Sequence, residues 1–523
     1  MNGTRRAGYR RPRFGAAEGR QGVARRIVPV TYWRPMTSPD AIVIGSGPNG
    51  LAAAVTLARA GVSVHVYERE NTIGGGSRTS EVTLPGFHHD ICSAVHPMAY
   101  ASAFFQQFRL ADRLDFVTPE LSYGHPLDGG RAGLAWRSLD RTADGLGADG
   151  AAWRRLFAPL SEHADAVSQF TGSSMFRVPK HPITLARFGL RALEQGSPLW
   201  NARWREDVAP AMLTGVLAHS IRPLPGFAPT AAGLVLASYA HASGWPIPVG
   251  GSQGIVDVMA ADVIAHGGEI VTGHEVTSLR ELPPSRAVLF DTSASGLERI
   301  AGNRLPPGYR RRLSRFSYGN AVAKVDFALS GPVPWTHPDL AQTGTLHLGG
   351  TRADIARAER DVARGKHPEN PYVLVSQPSN FDPTRAPEGK HTLWAYTHVP
   401  RGSTVDRTEA ITRQIERFAP GFRDLILASA SKSAADYEQY NPNYIGGDIS
   451  AGDVDLVQLL ARPVLSAQPW RTPLEGVYLC SSSTPPGPGV HGLPGWNAAL
   501  LALHDVFGMT TPPSLAPDSL PEP

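Results

Sequence analysis

The spacing of apolar positions changes period twice between residues 40 and 70. Ala41 to Ile44 is an unbroken apolar run that stops at Gly45, the pattern of a parallel strand covered on both faces. Leu51 to Ala60 is rich in Ala and Leu and is followed by Gly61, which predicts a helix ended by a glycine. Val62, Val64 and Val66 then alternate with Ser63, His65 and Tyr67, a second strand. The whole reads as a β-α-β unit.

From about 100 to 245 the pattern is mostly helical, with amphipathic stretches holding Trp, Phe and Arg. Gly250 and Gly251 open a helix from Ile255 to Ala265, with Ile255, Val258, Met259 and Val263 on one face. After Gly267-Gly268 comes the strand-like "EIVTGHEVTSL", then the short strand Val288 to Phe290, and "DTSAS" behind it suits the cap of the next helix. Strand candidates "AVAKVDFAL", "YVLVSQ" and "HTLWAYTHV" fall between 315 and 400. A last strand, Val477 to Cys480, leads through a glycine-proline loop into a helix, and residues 511–523, with five prolines, read as a frayed tail.

Composition narrows the class. A chain of 523 residues, 42% hydrophobic and 18% charged, is long enough for two to four units or one composite enzyme. Only Cys92 and Cys480 are present, 388 positions apart, and no Cys or His pairs stand at zinc-ligand spacing; a disulfide scaffold and a metal site are both excluded. A reducing compartment, the cytoplasm, is expected. Of the net charge of +4, residues 1–35 supply +8 through nine arginines against Glu18, which leaves −4 on the body. An acidic body is no nucleic-acid binder of the usual kind, since phosphate tracking needs a basic face on the folded domain. Residues 1–38 read as a disordered basic extension, and Met36 is a candidate alternative start. No run of 18 apolar residues predicts a transmembrane segment, which leaves peripheral membrane contact open.

The chemistry concentrates at two places. Gly45-Ser46-Gly47-Pro48-Asn49-Gly50 is a GxGxxG between a strand and a helix, and Glu68 ends the next strand. The first glycine permits the tight turn, the second lets backbone approach a pyrophosphate, and the third allows close helix-sheet packing. The helix N-terminus faces the phosphates, and the acid suits ribose hydroxyls. Six residues later "IGGGSRTSE" brings Gly74, Gly75, Gly76, Ser77 and Arg78, a second close approach that a plain NAD domain does not need. Near the other end, the loop Ser481 to Gly489 precedes a helix N-terminus, where a dipole aimed at a flavin pyrimidine would stabilise the charge of the reduced ring.

"GSGPNG…E…GGGSR" together with "GVYLCSSSTPPGPGVHGLPGWNAA" resembles the phytoene desaturase type of FAD-dependent oxidoreductase, nearest the branch named pyridine nucleotide-disulfide oxidoreductase domain-containing protein 2. The resemblance runs from about Asp40 to Val506 and takes in "GWPIPVGGSQGIVDVM" and "NPNYIGGDI". It implies an α/β fold in which a Rossmann-like FAD-binding domain with a doubly wound parallel sheet (39–115, 236–300 and 440–510) is interleaved with an α+β substrate or cap domain (116–235 and 301–439). It implies FAD phosphates at Gly45 to Gly50, ribose at Glu68 beside Arg69, and the diphosphate and flavin side at Gly75, Gly76, Ser77 and Arg78. Adenine would lie on the backbone of Val276, and the isoalloxazine on Ser482, Gly489, Val490, His491, Gly492 and Leu493. Only eight residues separate Leu279 from Val288, too few for the antiparallel hairpin that relatives often insert there.

Disulfide reduction, which the branch name suggests, would need a CxxC, and the chain has none. The expected activity is an FAD-dependent dehydrogenase or desaturase that takes hydride from a small apolar substrate and is reoxidised by an electron acceptor such as dioxygen or a quinone. A flavin amine oxidase, a redox-neutral FAD isomerase and an FAD-stabilised interaction protein are the alternatives. Candidates for the substrate side are His96, Trp496 as a pocket wall, and Lys324 as the holder of a water near flavin N5.

Overall fold

The structure is a computed structural model that describes residues 38–173 and 179–518. The expected basic extension, apart from Ser38, lies outside the described residues, as do the last five residues of the tail.

β1 (Ala41–Ile44) is buried along its whole length because its side chains alternate between two apolar layers. Ala41 and Val43 join a core with α1 (Pro48–Arg59) and the helices Gln253–Ala265 and Leu493–Phe507. Ile42 and Ile44 join another with the helices Ala294–Ala301 and Pro307–Leu313. On one side β1 pairs with β2 (Val64–Tyr67), which pairs with Glu269–Val271; on the other it pairs with Ala287–Phe290, which pairs with Val477–Leu479. All five strands run parallel, so the fold is the doubly wound α/β class. From β1 the chain builds β2 and Glu269–Val271 on one side, then crosses to build Ala287–Phe290 and Val477–Leu479 on the other, and this reversal opens a crevice at the carboxyl ends of β1 and Ala287–Phe290.

A second, seven-stranded sheet runs in the order Ile426–Lys432, Ala321–Leu329, His391–Val399, Val373–Ser376, Thr345–Leu348, Leu121–Leu127, Arg131–Trp136. Its neighbours are antiparallel except Thr345–Leu348 beside Leu121–Leu127. One face carries Leu374, Trp394 and Tyr396 into a core with the helices Val208–Leu217 and Phe227–Ala242. The other packs Val375, Leu393 and Ala395 on Ile411, Ile415 and Phe418 of the helix Thr408–Phe418.

Gly61 adopts φ +79 just past α1, and Ser293 caps its helix by accepting from Gly296 N. Other expectations need correction. The stretch 100–245 is mostly helical, as expected, but it also carries a hairpin, Leu121–Leu127 and Arg131–Trp136, that its pattern did not signal. Gly124 and Pro126 argue against a strand locally, and pairing with Thr345–Leu348 and Arg131–Trp136 overrides them. "EIVTGHEVTSL" is strand only over Glu269–Val271, because Gly273 turns the chain and His274 N then donates to Glu68 O at 2.8 Å. The expected boundary at 235/236 falls inside the helix Phe227–Ala242, whose Leu234, Ala237 and Ala240 all pack beside the second sheet. The tail is tied down as far as it is described: Leu515 is buried, and Arg59 donates to Ala516 O at 2.7 Å.

Candidate functional site

Two adjoining cavities lie at the carboxyl ends of the parallel strands. The smaller, about 160 Å³, is walled by Gly45 to Asn49, Glu68 and Arg69, Gly75 and Gly76, Arg78, Val276 and Ser482. The turn out of β1 depends on Gly45: its φ is +102, and a Cβ there would stand 2.8 Å from Asp291 O. Glu68, at the end of β2, accepts from Ser46 N at 3.0 Å and from Ser46 Oγ at 2.5 Å. Arg78 is buried; it donates to Thr72 O at 2.7 Å and to Glu68 Oε1 at 3.2 Å, so it holds its own loop against the acid. Arg69 is tied to Glu70 at 3.0 Å.

Sequence reasoning missed three parts of this cleft. Asp291, at the end of Ala287–Phe290, accepts from Gly50 N at 2.9 Å. Burial, with Glu68 nearby, pushes its carboxyl up to about 7. The signal was present, since the residue follows an apolar strand as Glu68 follows β2. Tyr440 donates to Gly75 O at 3.1 Å, and Asn443 accepts from Ser293 N at 2.7 Å. Both come from the segment around "NPNYIGGDI", which the sequence alone assigned no role.

The larger cavity holds about 600 Å³ and is mainly apolar. Ser77, His96, Gly489, Val490 and His491 line it, and Pro48, Asn49, Gly76, Tyr444, Ala451 and Ser482 border both cavities. Ser252 Oγ donates to Ser93 O at 2.5 Å, so it accepts from His96 Nε2 at 2.7 Å. His96 therefore carries its proton on Nε2, and burial lowers its pKa to about 4. Burial likewise lowers His491 to about 4.

Five expected residues stand behind these walls. Gly50 packs on Gly45 O and Asp291, Gly492 packs on Phe104 and Ala52, and Leu493 is in the core at the start of its helix. Trp496 packs on the same core and does not wall the pocket. Nor does Lys324 reach either cavity: it is buried, and its Nζ bonds Asp90 O and Asp326 Oδ2, both at 2.7 Å. Its role as holder of a water is corrected to that of a buried ion-pair partner.

The cleft fits a flavin dinucleotide on its own geometry. Asn49 Oδ1 and Ser77 Oγ are buried without partners beside the junction of the cavities, and a Cβ on Gly75 would close to 3.2 Å of Gly47 Cα. Two glycine backbones thus frame a narrow passage lined with free polar atoms.

The sequence profile of the NAD(P)-binding Rossmann-like domain family matches residues 43–109. The rat protein named pyridine nucleotide-disulfide oxidoreductase domain-containing protein 2 is 27% identical over 94% of this chain and 100% of its own length. The 4,4'-diaponeurosporene oxygenase of Staphylococcus haemolyticus is 23% identical over 70% of this chain and 76% of its own. Among solved structures, a putrescine oxidase triple mutant superposes with a TM-score of 0.60 at 16% identity, covering 90% of this chain and 99% of that one.

Proposed function

We propose that this chain, similar in sequence to the pyridine nucleotide-disulfide oxidoreductase domain-containing protein 2 and in fold to the putrescine oxidase, takes FAD as its cofactor and is a dehydrogenase or desaturase that removes hydride from an apolar substrate. The observation that carries the reading is the common wall: Pro48, Asn49, Gly76 and Ser482 border both the dinucleotide cleft and the apolar chamber. When bound, FAD supplies a two-electron hydride acceptor.

The residues of the chain hold, orient and exclude water. In this reading Gly45 to Asn49, with Gly75 to Arg78, hold the diphosphate, Glu68 the ribose and Val276 the adenine, while Ser482 and Gly489 to His491 hold the ring, and Gly50, Gly492 and Leu493 support these walls from behind. Val95, Met98, Val235 and Leu236 on the chamber wall keep it dry. His96 keeps its proton on Nε2 and stays neutral at neutral pH, which suits hydride removal with little acid-base work.

Among the described residues the only carboxylate on the chamber wall is Asp453, and it is paired with Arg222. A cationic amine would find no free counter-charge there, which favours an apolar substrate over an amine. Disulfide chemistry has no support: Cys92 and Cys480 are both free, and burial raises both thiols. Dioxygen or a quinone is the proposed acceptor.

The helices Pro182–Gln195 and Leu456–Leu460 line the chamber with Leu185, Phe188 and Leu459 while exposing Ile183, Leu190, Leu193 and Val457. That supports delivery of substrate from a membrane surface. No helix among the described residues is long and apolar enough to cross a membrane.

The test is the visible spectrum of the purified protein, with the pigment released by heat and identified, followed by anaerobic addition of polyenes and of amines. Flavin bands that polyenes bleach and amines do not are expected. A colourless protein that takes up no added FAD, or bleaching by amines alone, would overturn the proposal.

A further inference from the structure

One wall of the chamber carries three hydrogen-bonding groups in a row. Thr345 pairs with Ser376, and Ser376 with Trp394, across three adjacent strands of the seven-stranded sheet. Directly paired residues share a face, and all three line the chamber. Each is at least nine-tenths buried, at 2%, 1% and 5% exposure. Yet Thr345 Oγ1, Ser376 Oγ and Trp394 Nε1 have no hydrogen-bond partner among the described residues. Two inter-strand steps set the row at roughly 10 Å long.

Buried polar groups are ordinarily paired, and a row of unpaired ones calls for a reason. The indole N–H can only donate, so whatever pairs with it must accept; the two hydroxyls can do either. Among the described residues no free charge stands beside them. Lys324 Nζ lies 5.4 Å from the centroid of the Trp394 ring but is taken by Asp90 O and Asp326. Arg462, on the chamber wall, is taken by the carbonyls of Ser482, Asp453, Ser450 and Gly452. A carboxylate or phosphate would be buried there without a counter-charge.

We propose that Thr345, Ser376 and Trp394 form a polar subsite that binds a neutral oxygen function, a hydroxyl or a carbonyl, on an otherwise apolar substrate. The substrate class is thus an oxygenated lipophile rather than a plain hydrocarbon. This deepens the dehydrogenase reading and rests on it for the claim that the chamber's occupant is the substrate. The row anchors one end, and the apolar walls take the rest.

The test uses the flavin-loaded protein and three probes, 1-decanol, decane and decanoate, each displacing Nile red from the chamber. Ser376→Ala and Thr345→Val keep the shape and remove one hydroxyl each, and Trp394→Phe removes the indole N–H together with one ring. At least one of them is expected to weaken 1-decanol about fivefold, the factor for one hydrogen bond of roughly 1 kcal/mol, since a single hydroxyl reaches only part of the row, while Ser376→Ala and Thr345→Val leave decane unchanged. Ser376→Ala is also expected to raise the melting temperature without probe, because it removes an unpaired buried hydroxyl. Equal losses for decanol and decane, no loss for either, or decanoate as the tightest probe would overturn the subsite. The bleaching experiment is read separately: a decanol-specific effect in a protein whose flavin no substrate bleaches would remove the dehydrogenase reading and leave the subsite standing.

Discussion

Asp291 Oδ2 accepts the amide hydrogen of Gly50 at 2.9 Å, across 241 positions of chain. A carboxyl group from a neighbouring strand thus closes the glycine loop, and Oδ2 occupies the space a side chain on Gly47 would need. Burial raises this carboxyl to about 7, with Glu68 adding to the effect. A carboxyl raised above its unfolded value binds more proton in the folded state. Its effect is therefore a loss of stability as pH climbs from the ordinary carboxylate range through 7.

Asp291→Asn keeps an acceptor for Gly50 and removes the titration. The FAD-free variant should be more stable than wild type at pH 8 by up to a few kcal/mol, with the gap closing toward pH 5. Thermal denaturation of both proteins at pH 5, 6, 7 and 8 reads this directly; a gap that does not vary with pH would defeat it.

Glu68→Ala and Gly47→Val should each lose flavin, the first by removing the acid at the end of β2, the second because its Cβ would stand 2.7 Å from Asp291 Oδ2. A fall of at least about tenfold in FAD affinity is expected, the factor for about 1.4 kcal/mol. Full flavin occupancy in both, measured from the ratio of visible to ultraviolet absorbance, would sink the dinucleotide assignment.

Gly495 lets the helix Leu493–Phe507 cross α1 at backbone distance, since a Cβ there would stand 1.8 Å from Asn49 O. Gly495→Ala should cost on the order of 3 kcal/mol by forcing the helices apart. Because Asn49 borders both cavities, flavin retention should fall with the melting temperature. An unchanged melting temperature would mean that the crossing is looser than this.

Lys324→Met leaves Asp326 buried beside His89 without its lysine. Removing one partner of such a pair costs about 3–5 kcal/mol. Pairing the change with Asp326→Leu should recover part of that. If Lys324→Met instead leaves stability intact and slows flavin reduction, the lysine acts at the flavin after all.

Leu190→Glu together with Val457→Glu places two charges on the exposed apolar faces beside the chamber. The variant should lose co-sedimentation with phosphatidylcholine vesicles while keeping its flavin spectrum. Equal sedimentation of variant and wild type would exclude this face as the membrane contact.

Much of the dinucleotide cleft was legible because its signals are local. The run Ala41 to Ile44, the glycines at 45, 47 and 50 and the acid at 68 lie within thirty residues and obey steric rules that act between neighbours. The hairpin at 121–136 was hidden because Gly124 and Pro126 oppose a strand locally, and pairing restores it, with Arg131–Trp136 close in the chain and with Thr345–Leu348 more than two hundred positions away. Lys324 and Trp496 were misread for the same reason: a side chain's direction follows from what packs around it, and a lysine in an apolar strand gives no sign of Asp90 waiting behind it.

The sequence by itself determined the β-α-β unit and the glycine turn that opens its helix, since strand period, helix ends and glycine turns are set by contacts a few residues apart. Tertiary structure alone decided that Asp291 closes the loop, that the cleft and the chamber share a wall, and that Thr345, Ser376 and Trp394 stand in one row. Those arrangements depend on strand order and register, which are fixed by the joint burial of segments hundreds of residues apart, and no local pattern encodes them.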